Sequence, residues 1–178
     1  MFQKGRVGLG ILSLVTLSAA QTQAQSGALR LTGTYQLVPE ESEDFRAAIR
    51  AGTEGASFFV RNIGRGVLER ALEPAQRVSI SFDTTGVSIV ENGTSLDTPL
   101  GGAATETRNA RGEREVVSTT LAGDTLRRTF RASKATRLLQ YTVAENGKLR
   151  VDVDVTGKVL PRSVRYYLVY RRLDGTEK

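Results

Sequence analysis

Three residue types that carry much protein chemistry are missing: the 178 residues include no cysteine, no histidine and no tryptophan. Without cysteine there is no disulfide and no thiol nucleophile. Without histidine there is no Ser-His-Asp triad, no imidazole acid or base, and no histidine-ligated zinc or haem. Acid–base catalysis by carboxylates stays open, but the clearest acidic pair, Asp152 and Asp154, alternates with valines and is expected to face solvent. We therefore expect a protein that is not an enzyme and that uses neither a metal nor a cofactor.

A strong charge excess is also missing, which bears on partners. The net charge is +6, and two of the positive charges, Lys4 and Arg6, precede the apolar run Val7–Ala20. A basic start, a short apolar run and the small residues of Thr22-Gln23-Ala24 are typical of a secretory signal. We expect residues 1–25 to be a signal peptide, residues 26–178 to be one domain, and the protein to be exported to the periplasm or secreted. No long basic run indicates a nucleic acid partner.

The order of predicted elements is the main indication of the fold. Residues from Leu29 to Leu37 alternate between apolar and polar, which predicts a strand, and Pro39 ends it. Two helical patterns follow over about 42–72, the first capped by Ser42. Gly64 and Gly66 lie within the second pattern. They indicate either a helix that opens easily or one that packs closely against its neighbour.

Alternating segments separated by turn residues fill the rest of the chain. The clearest runs from Leu149 to Val155, directly after the two-residue hairpin signal in Glu145-Asn146-Gly147-Lys148. Ser95–Ala104 is the weakest as a strand. The pattern predicts a mainly β protein: a single antiparallel up-and-down β-barrel of nine or ten strands, with a helix pair between the first and second strands.

From Leu29 to Leu173 the chain resembles the fatty-acid-binding proteins, within the lipocalin-related calycin group. The residues that carry the resemblance are Gly33-Thr34-Tyr35, Asn146-Gly147-Lys148-Leu149 and Val169-Tyr170-Arg171-Arg172. The resemblance implies that Arg171 or Arg172 packs over Tyr35 and closes one end of the barrel.

The resemblance also implies a ligand carboxylate held by two arginines and a tyrosine. Tyr170 falls at the position of that tyrosine. Leu168 stands where one arginine is expected, and Tyr141 or Thr142 stands where the other is expected. The usual contacts to a fatty acid are therefore absent from their expected places.

Four residues are candidates for ligand binding: Arg128, Tyr141, Tyr166 and Tyr170. Arg128 lies between Leu126 and Phe130. If that face points inward, Arg128 is a buried cation that needs a ligand carboxylate or a fixed acid; otherwise it reaches solvent at a rim. The tyrosines either orient a ligand through their hydroxyls or fill the barrel.

These features favour an exported binding protein that holds a small lipophilic molecule, including an anionic one, in an inner cavity of roughly a few hundred Å³. Arg61 and Arg65 would make a peripheral membrane contact, or else form a solvated helix face. The alternative function is a protein-interaction or inhibitory barrel of the cell envelope, with a filled interior.

Overall fold

A computed structural model describes residues 26–58, 61, 64–109 and 112–173. Ten antiparallel strands form one sheet, in the order β4-β3-β2-β1-β10-β9-β8-β7-β6-β5. The predicted signal peptide lies outside the described residues. The strands are β1 (Gly33–Leu37), β2 (Arg77–Phe82), β3 (Gly86–Glu91), β4 (Thr94–Pro99), β5 (Ala104–Arg108), β6 (Arg114–Ala122), β7 (Thr125–Arg131), β8 (Ala135–Val143), β9 (Leu149–Gly157) and β10 (Val164–Leu173).

Pairing of β1 with β10 joins the first and last strands and closes most of the barrel. The predicted mainly β, up-and-down barrel is confirmed, with ten strands. Of the segment predicted to be weak as a strand, residues 95–99 lie in the six-residue β4, which pairs with β3 from Thr94 to Pro99, and residues 100–103 lie outside any strand. Thr98 is 3% exposed, so a polar residue is packed inside this short strand.

In the described part of the chain the barrel is accompanied by the helices α1 (residues 26–31), α2 (Phe45–Gly52) and α3 (Arg65–Ala71) and by a short 3-10 helix, Pro39–Glu41. The pair α2 and α3 lies between β1 and β2 in the chain, as predicted. The first predicted strand began too early, because residues 26–31 are helical. Leu31 ends α1 and is fully buried, and the Tyr35 hydroxyl donates to its carbonyl at 3.0 Å.

The turn before α2 covers an edge that β1 leaves unpaired. The Val38 amide donates to the Val169 carbonyl at 2.8 Å, and the Val169 amide donates to Ser42 Oγ at 2.9 Å. Asp44, and not Ser42 as predicted, is the N-cap of α2, since its carboxylate accepts from the Arg46 amide at 2.9 Å. Ser42 instead accepts a hydrogen bond from the Val169 amide of β10, which β1 leaves unpaired.

The core is the barrel interior, which alternate residues of every long strand fill. In β9 the four inward residues are no more than 4% exposed. Cross-strand register places Val153 beside Tyr166 and Val151 beside Leu168, so β9 and β10 present one apolar wall. The inward residues of these two strands are Leu149, Val151, Val153, Val155, Val164, Tyr166, Leu168 and Tyr170.

One seam, between β4 and β5, has no ladder among the described residues, because these two strands are the ends of the sheet order. Within the described residues, three hydrogen bonds bridge it, from β4 and the turn after it to β6 and β7. The Gly102 amide donates to the Thr119 carbonyl at 2.8 Å, and the hydroxyls of Thr98 and Thr119 lie 2.8 Å apart. Arg128 Nη2 donates to the Leu96 carbonyl at 2.5 Å.

Candidate functional site

Two adjacent spaces lie where the helices meet the barrel. An inner cavity of about 50 Å³ is lined by strands β2, β3, β8, β9 and β10 and by the segment after α3. A groove of about 310 Å³ lies outside it, between the start of α2 and the same segment. Both are lined by Glu73, Pro74 and Leu168, so these three residues separate the groove from the cavity.

The inner cavity is smaller than expected from the sequence. Tyr141, Tyr166 and Tyr170 all line it and are no more than 5% exposed. Their rings occupy space that a bound molecule would otherwise fill. The structure therefore brings three of the four candidate residues together, in a barrel that is largely packed with its own side chains.

The polar groups of the cavity are arranged around Glu91. The Tyr141 hydroxyl donates to Glu91 Oε1 at 3.2 Å. The Tyr166 hydroxyl donates to the Leu72 carbonyl at 3.1 Å and so ties the end of α3 to the barrel. The Tyr170 hydroxyl has no hydrogen-bond partner within the described part of the chain. Arg137 also lines the cavity, with its guanidinium 4.3 Å from the centre of the Phe130 ring.

Sequence reasoning missed Glu91 and Arg137. Glu91 pairs with the inward Val78, and Arg137 pairs with the inward Val155, so both side chains point into the barrel. The signal was available as alternation: Glu91 continues the series of Val87 and Ile89.

Arg128 is separate from this site. It is 1% exposed and points inward, but it lines neither the cavity nor the groove. Its Nη2 holds the Leu96 carbonyl across the seam, while its Nε has no partner among the described residues. No carboxylate of the described residues forms an ion pair with it. The geometry gives Arg128 a role in joining β4 to β7.

The groove has an apolar floor and a polar rim. Leu37, Phe45 and Leu168 contribute to the floor. On the rim, Glu43 Oε2 accepts from the Tyr167 amide at 3.0 Å and is already engaged. The amides at the start of α2, that of Ala47 foremost, hold the pKa of Asp44 below its usual value. Among the described residues, no group of three or more Asp or Glu could hold a metal ion.

Burial sets the ionisation of the cavity tyrosines. Desolvation, reinforced by the charge of Glu91, raises the pKa values of Tyr141 and Tyr170, and desolvation raises the pKa of Tyr166 to about 12. All three phenols are therefore neutral hydrogen-bonding groups at neutral pH.

The barrel should lose stability in alkali because of these tyrosines. Their pKa values are higher in the folded state than in the unfolded chain, so the stabilisation is complete below about pH 10 and is lost as pH rises through 12. We expect the free energy of urea unfolding to be flat near pH 8 and to fall steadily above about pH 10. Tyr166→Phe should flatten that fall. Phenolate absorbance from all five tyrosines in the folded protein at about pH 10 would contradict the argument.

No protein-family model matches this sequence, and no curated protein does. Solved structures do match. The REP1-NXSQ fatty acid transporter superposes with a TM-score of 0.54 at 18% identity, over 83% of this chain and 98% of that chain. Lipid binding protein 8 of Caenorhabditis elegans, in its apo form, superposes with a TM-score of 0.55 at 13% identity, over 82% of this chain and 96% of that chain. Fatty-acid-binding protein 1 of Echinococcus granulosus superposes with a TM-score of 0.50 at 12% identity, over 82% of this chain and 99% of that chain.

The fold is that of the fatty-acid-binding proteins. In this fold, Leu168 and Tyr141 both line the inner cavity. They stand near the positions where the resemblance places the two arginines. The contact that the resemblance implied at the end of the barrel is made by Arg172, whose guanidinium lies 5.6 Å from the centre of the Tyr35 ring. Arg171 instead donates to Gln36 Oε1 at 3.1 Å.

Proposed function

We propose that this protein binds a small lipophilic molecule where its helix pair meets the barrel. The observation that carries the proposal is the groove of about 310 Å³, whose apolar floor continues through Leu168 to the inner cavity. Apolar surfaces that meet at a concave site with a few convergent polar groups are typical of small-molecule sites. The solved proteins with this fold include ones named as a fatty acid transporter and a lipid binding protein, which supports the same class of ligand.

The size of the two spaces limits the ligand. Together they lie near the lower end of the roughly 300–1,000 Å³ common for small-molecule sites. We expect a short or medium-chain molecule, with its apolar part in the groove and its polar end toward the cavity. A longer ligand would require the three cavity tyrosines to move.

We also infer that the protein is exported and acts as a carrier without catalysis. The export proposal rests on the composition of residues 1–25, and that of a non-catalytic role on the absence of histidine and cysteine. None of the described helices has the length and apolar character needed to cross a membrane. Arg61 is exposed and near the 74% exposed Phe58 in the chain, which favours it for membrane contact. Arg65 Nε already donates to Thr53 Oγ1 at 2.9 Å.

The alternative, a protein-interaction barrel, is favoured by the small inner cavity. If that alternative holds, gentle purification should yield a stable protein partner and no lipid in an organic extract. Native mass spectrometry of the purified protein should instead show a bound small molecule if the binding proposal holds. A protein free of lipid that also fails to bind a fluorescent lipid probe would overturn the binding proposal.

The rate of ligand exchange should depend on α3. A Cβ added to Gly66 would meet no atom within 4 Å, so close packing does not explain this glycine. Gly66→Ala should stabilise the helix by about 1 kcal/mol and slow probe uptake and release roughly fivefold. Ala71→Gly, at an exposed position of the same helix, is the matched control and should speed both. Stopped-flow fluorescence measures the rates, and unchanged rates in both variants would show that α3 does not open.

A further inference from the structure

We propose that the inner cavity is a head-group site for a small neutral hydroxyl, so that the protein selects a fatty alcohol type of amphiphile over a free fatty acid. The inference rests on the proposed binding of a lipophilic molecule and specifies the chemistry of its polar end.

The hydrogen-bonding groups around the cavity fit a hydroxyl. Glu91 accepts one bond through Oε1 from Tyr141, and its carboxylate has further capacity to accept. Tyr170 is 2% exposed, lines the same cavity, and has a hydroxyl with no partner among the described residues. A hydroxyl group can donate to Glu91 and accept from Tyr170 at once, because it is both donor and acceptor.

The charges around the cavity also disfavour a carboxylate head group. Two carboxylates, that of the partly buried Glu91 and that of the exposed Glu73, line the cavity, against one guanidinium, that of the partly buried Arg137. Arg137 is also near enough to Glu115 to lower the pKa of that carboxyl, which burial raises. A ligand carboxylate would therefore meet the like charge of Glu91 and would lose hydration among the buried tyrosines.

An ammonium head group would be attracted by Glu91, but it would lose hydration among the buried tyrosines and would meet the like charge of Arg137, which lines the same cavity. An ammonium also has no acceptor for a hydrogen bond from the Tyr170 hydroxyl. A neutral hydroxyl avoids the loss of charge hydration and can accept that bond.

The volumes of the cavity and the groove also fit a single-chain alcohol. About 50 Å³ accommodates a hydroxyl and one or two neighbouring atoms, while the chain would lie in the groove of about 310 Å³. Leu168 and Pro74, at the junction, would contact the first carbons of the chain. The polar cavity and the apolar groove thus match the two ends of a single-chain alcohol.

The test compares four probes of equal chain length: decanol, decanoic acid, decylamine and decane. Displacement of a fluorescent lipid probe from the full chain is measured at about pH 8, where decanoic acid is ionised. We expect decanol to bind about tenfold more tightly than decanoate or decylamine. Tyr170→Phe should weaken decanol binding roughly fivefold and leave decane binding unchanged.

Two further variants sharpen the result. Glu91→Gln should narrow the preference for decanol over decanoate, because it removes the carboxylate that repels the acid. Tyr167→Phe is the matched control, because Tyr167 lies in β10 beside Tyr166 but lines neither the cavity nor the groove. It should leave the binding of all four probes unchanged.

Each outcome separates the two proposals. Tighter binding of decanoate or decylamine than of decanol overturns the head-group inference and leaves the binding function standing. Equal binding of all four probes also overturns the head-group inference alone. So does a Tyr170→Phe variant that still binds decanol as tightly as the unmodified protein. If none of the four binds, the proposed function itself fails, and the head-group inference fails with it.

Discussion

Replacing Gly86 with alanine is expected to destabilise the barrel by about 3–5 kcal/mol, or to prevent folding. Gly86 begins β3 opposite Pro99 of β4, and a Cβ at this position would overlap the carbonyl oxygen of Thr98. The obstacle is the backbone of a paired strand, which cannot rotate away as a side chain can. Relief would require β3 and β4 to separate where Thr98 also holds the seam.

Urea denaturation followed by circular dichroism measures the effect. Gly66→Ala is the matched control, since the same substitution there meets no neighbouring atom and should be neutral or stabilising. An unchanged midpoint in Gly86→Ala would mean that β3 and β4 are not in the close approach described here.

Replacing Leu31 with alanine is expected to cost about 2–5 kcal/mol of folding free energy. Leu31 ends α1, is fully buried, and belongs to the main hydrophobic core. The alanine variant would leave a space beneath Tyr35, whose hydroxyl is bonded to the Leu31 carbonyl. The helix α1 is thus part of the folded barrel, although it precedes the first strand.

The control is two residues away on the same helix. Leu29 is 75% exposed, so Leu29→Ala should change the unfolding free energy by no more than about 0.5 kcal/mol. Thermal and urea unfolding of both variants measure the difference. Equal effects from the two substitutions would contradict the placement of α1 against the barrel.

The sequence was most informative where packing and alternation agree. The run from Leu149 to Val155 alternates cleanly, and each of its valines faces the interior. Alternation failed for α1, because a short helix with one buried leucine has too few residues to show a period. Alternation was weak at β4 because the buried Thr98 is polar.

The candidate site was harder to predict than the fold. Tyr141, Tyr166 and Tyr170 were candidates because each puts a hydroxyl on a predicted apolar strand face, and the structure groups them around one cavity. The direction of Arg128 depends on strand register, and its partner, the Leu96 carbonyl, is a backbone atom that no residue pattern reveals. The volume left inside depends on how the aromatic rings pack, which is a property of the assembled core.

The seam between β4 and β5 bears on how much the barrel can hold. Within the described residues, every other neighbouring pair of strands is joined by a ladder of backbone hydrogen bonds, whereas three bonds bridge this seam, two of them through side chains. Widening the barrel at this place would break those three bonds and no strand ladder. Any swelling of the interior would therefore act first on this closure, where Arg128 would lose its bond to the Leu96 carbonyl.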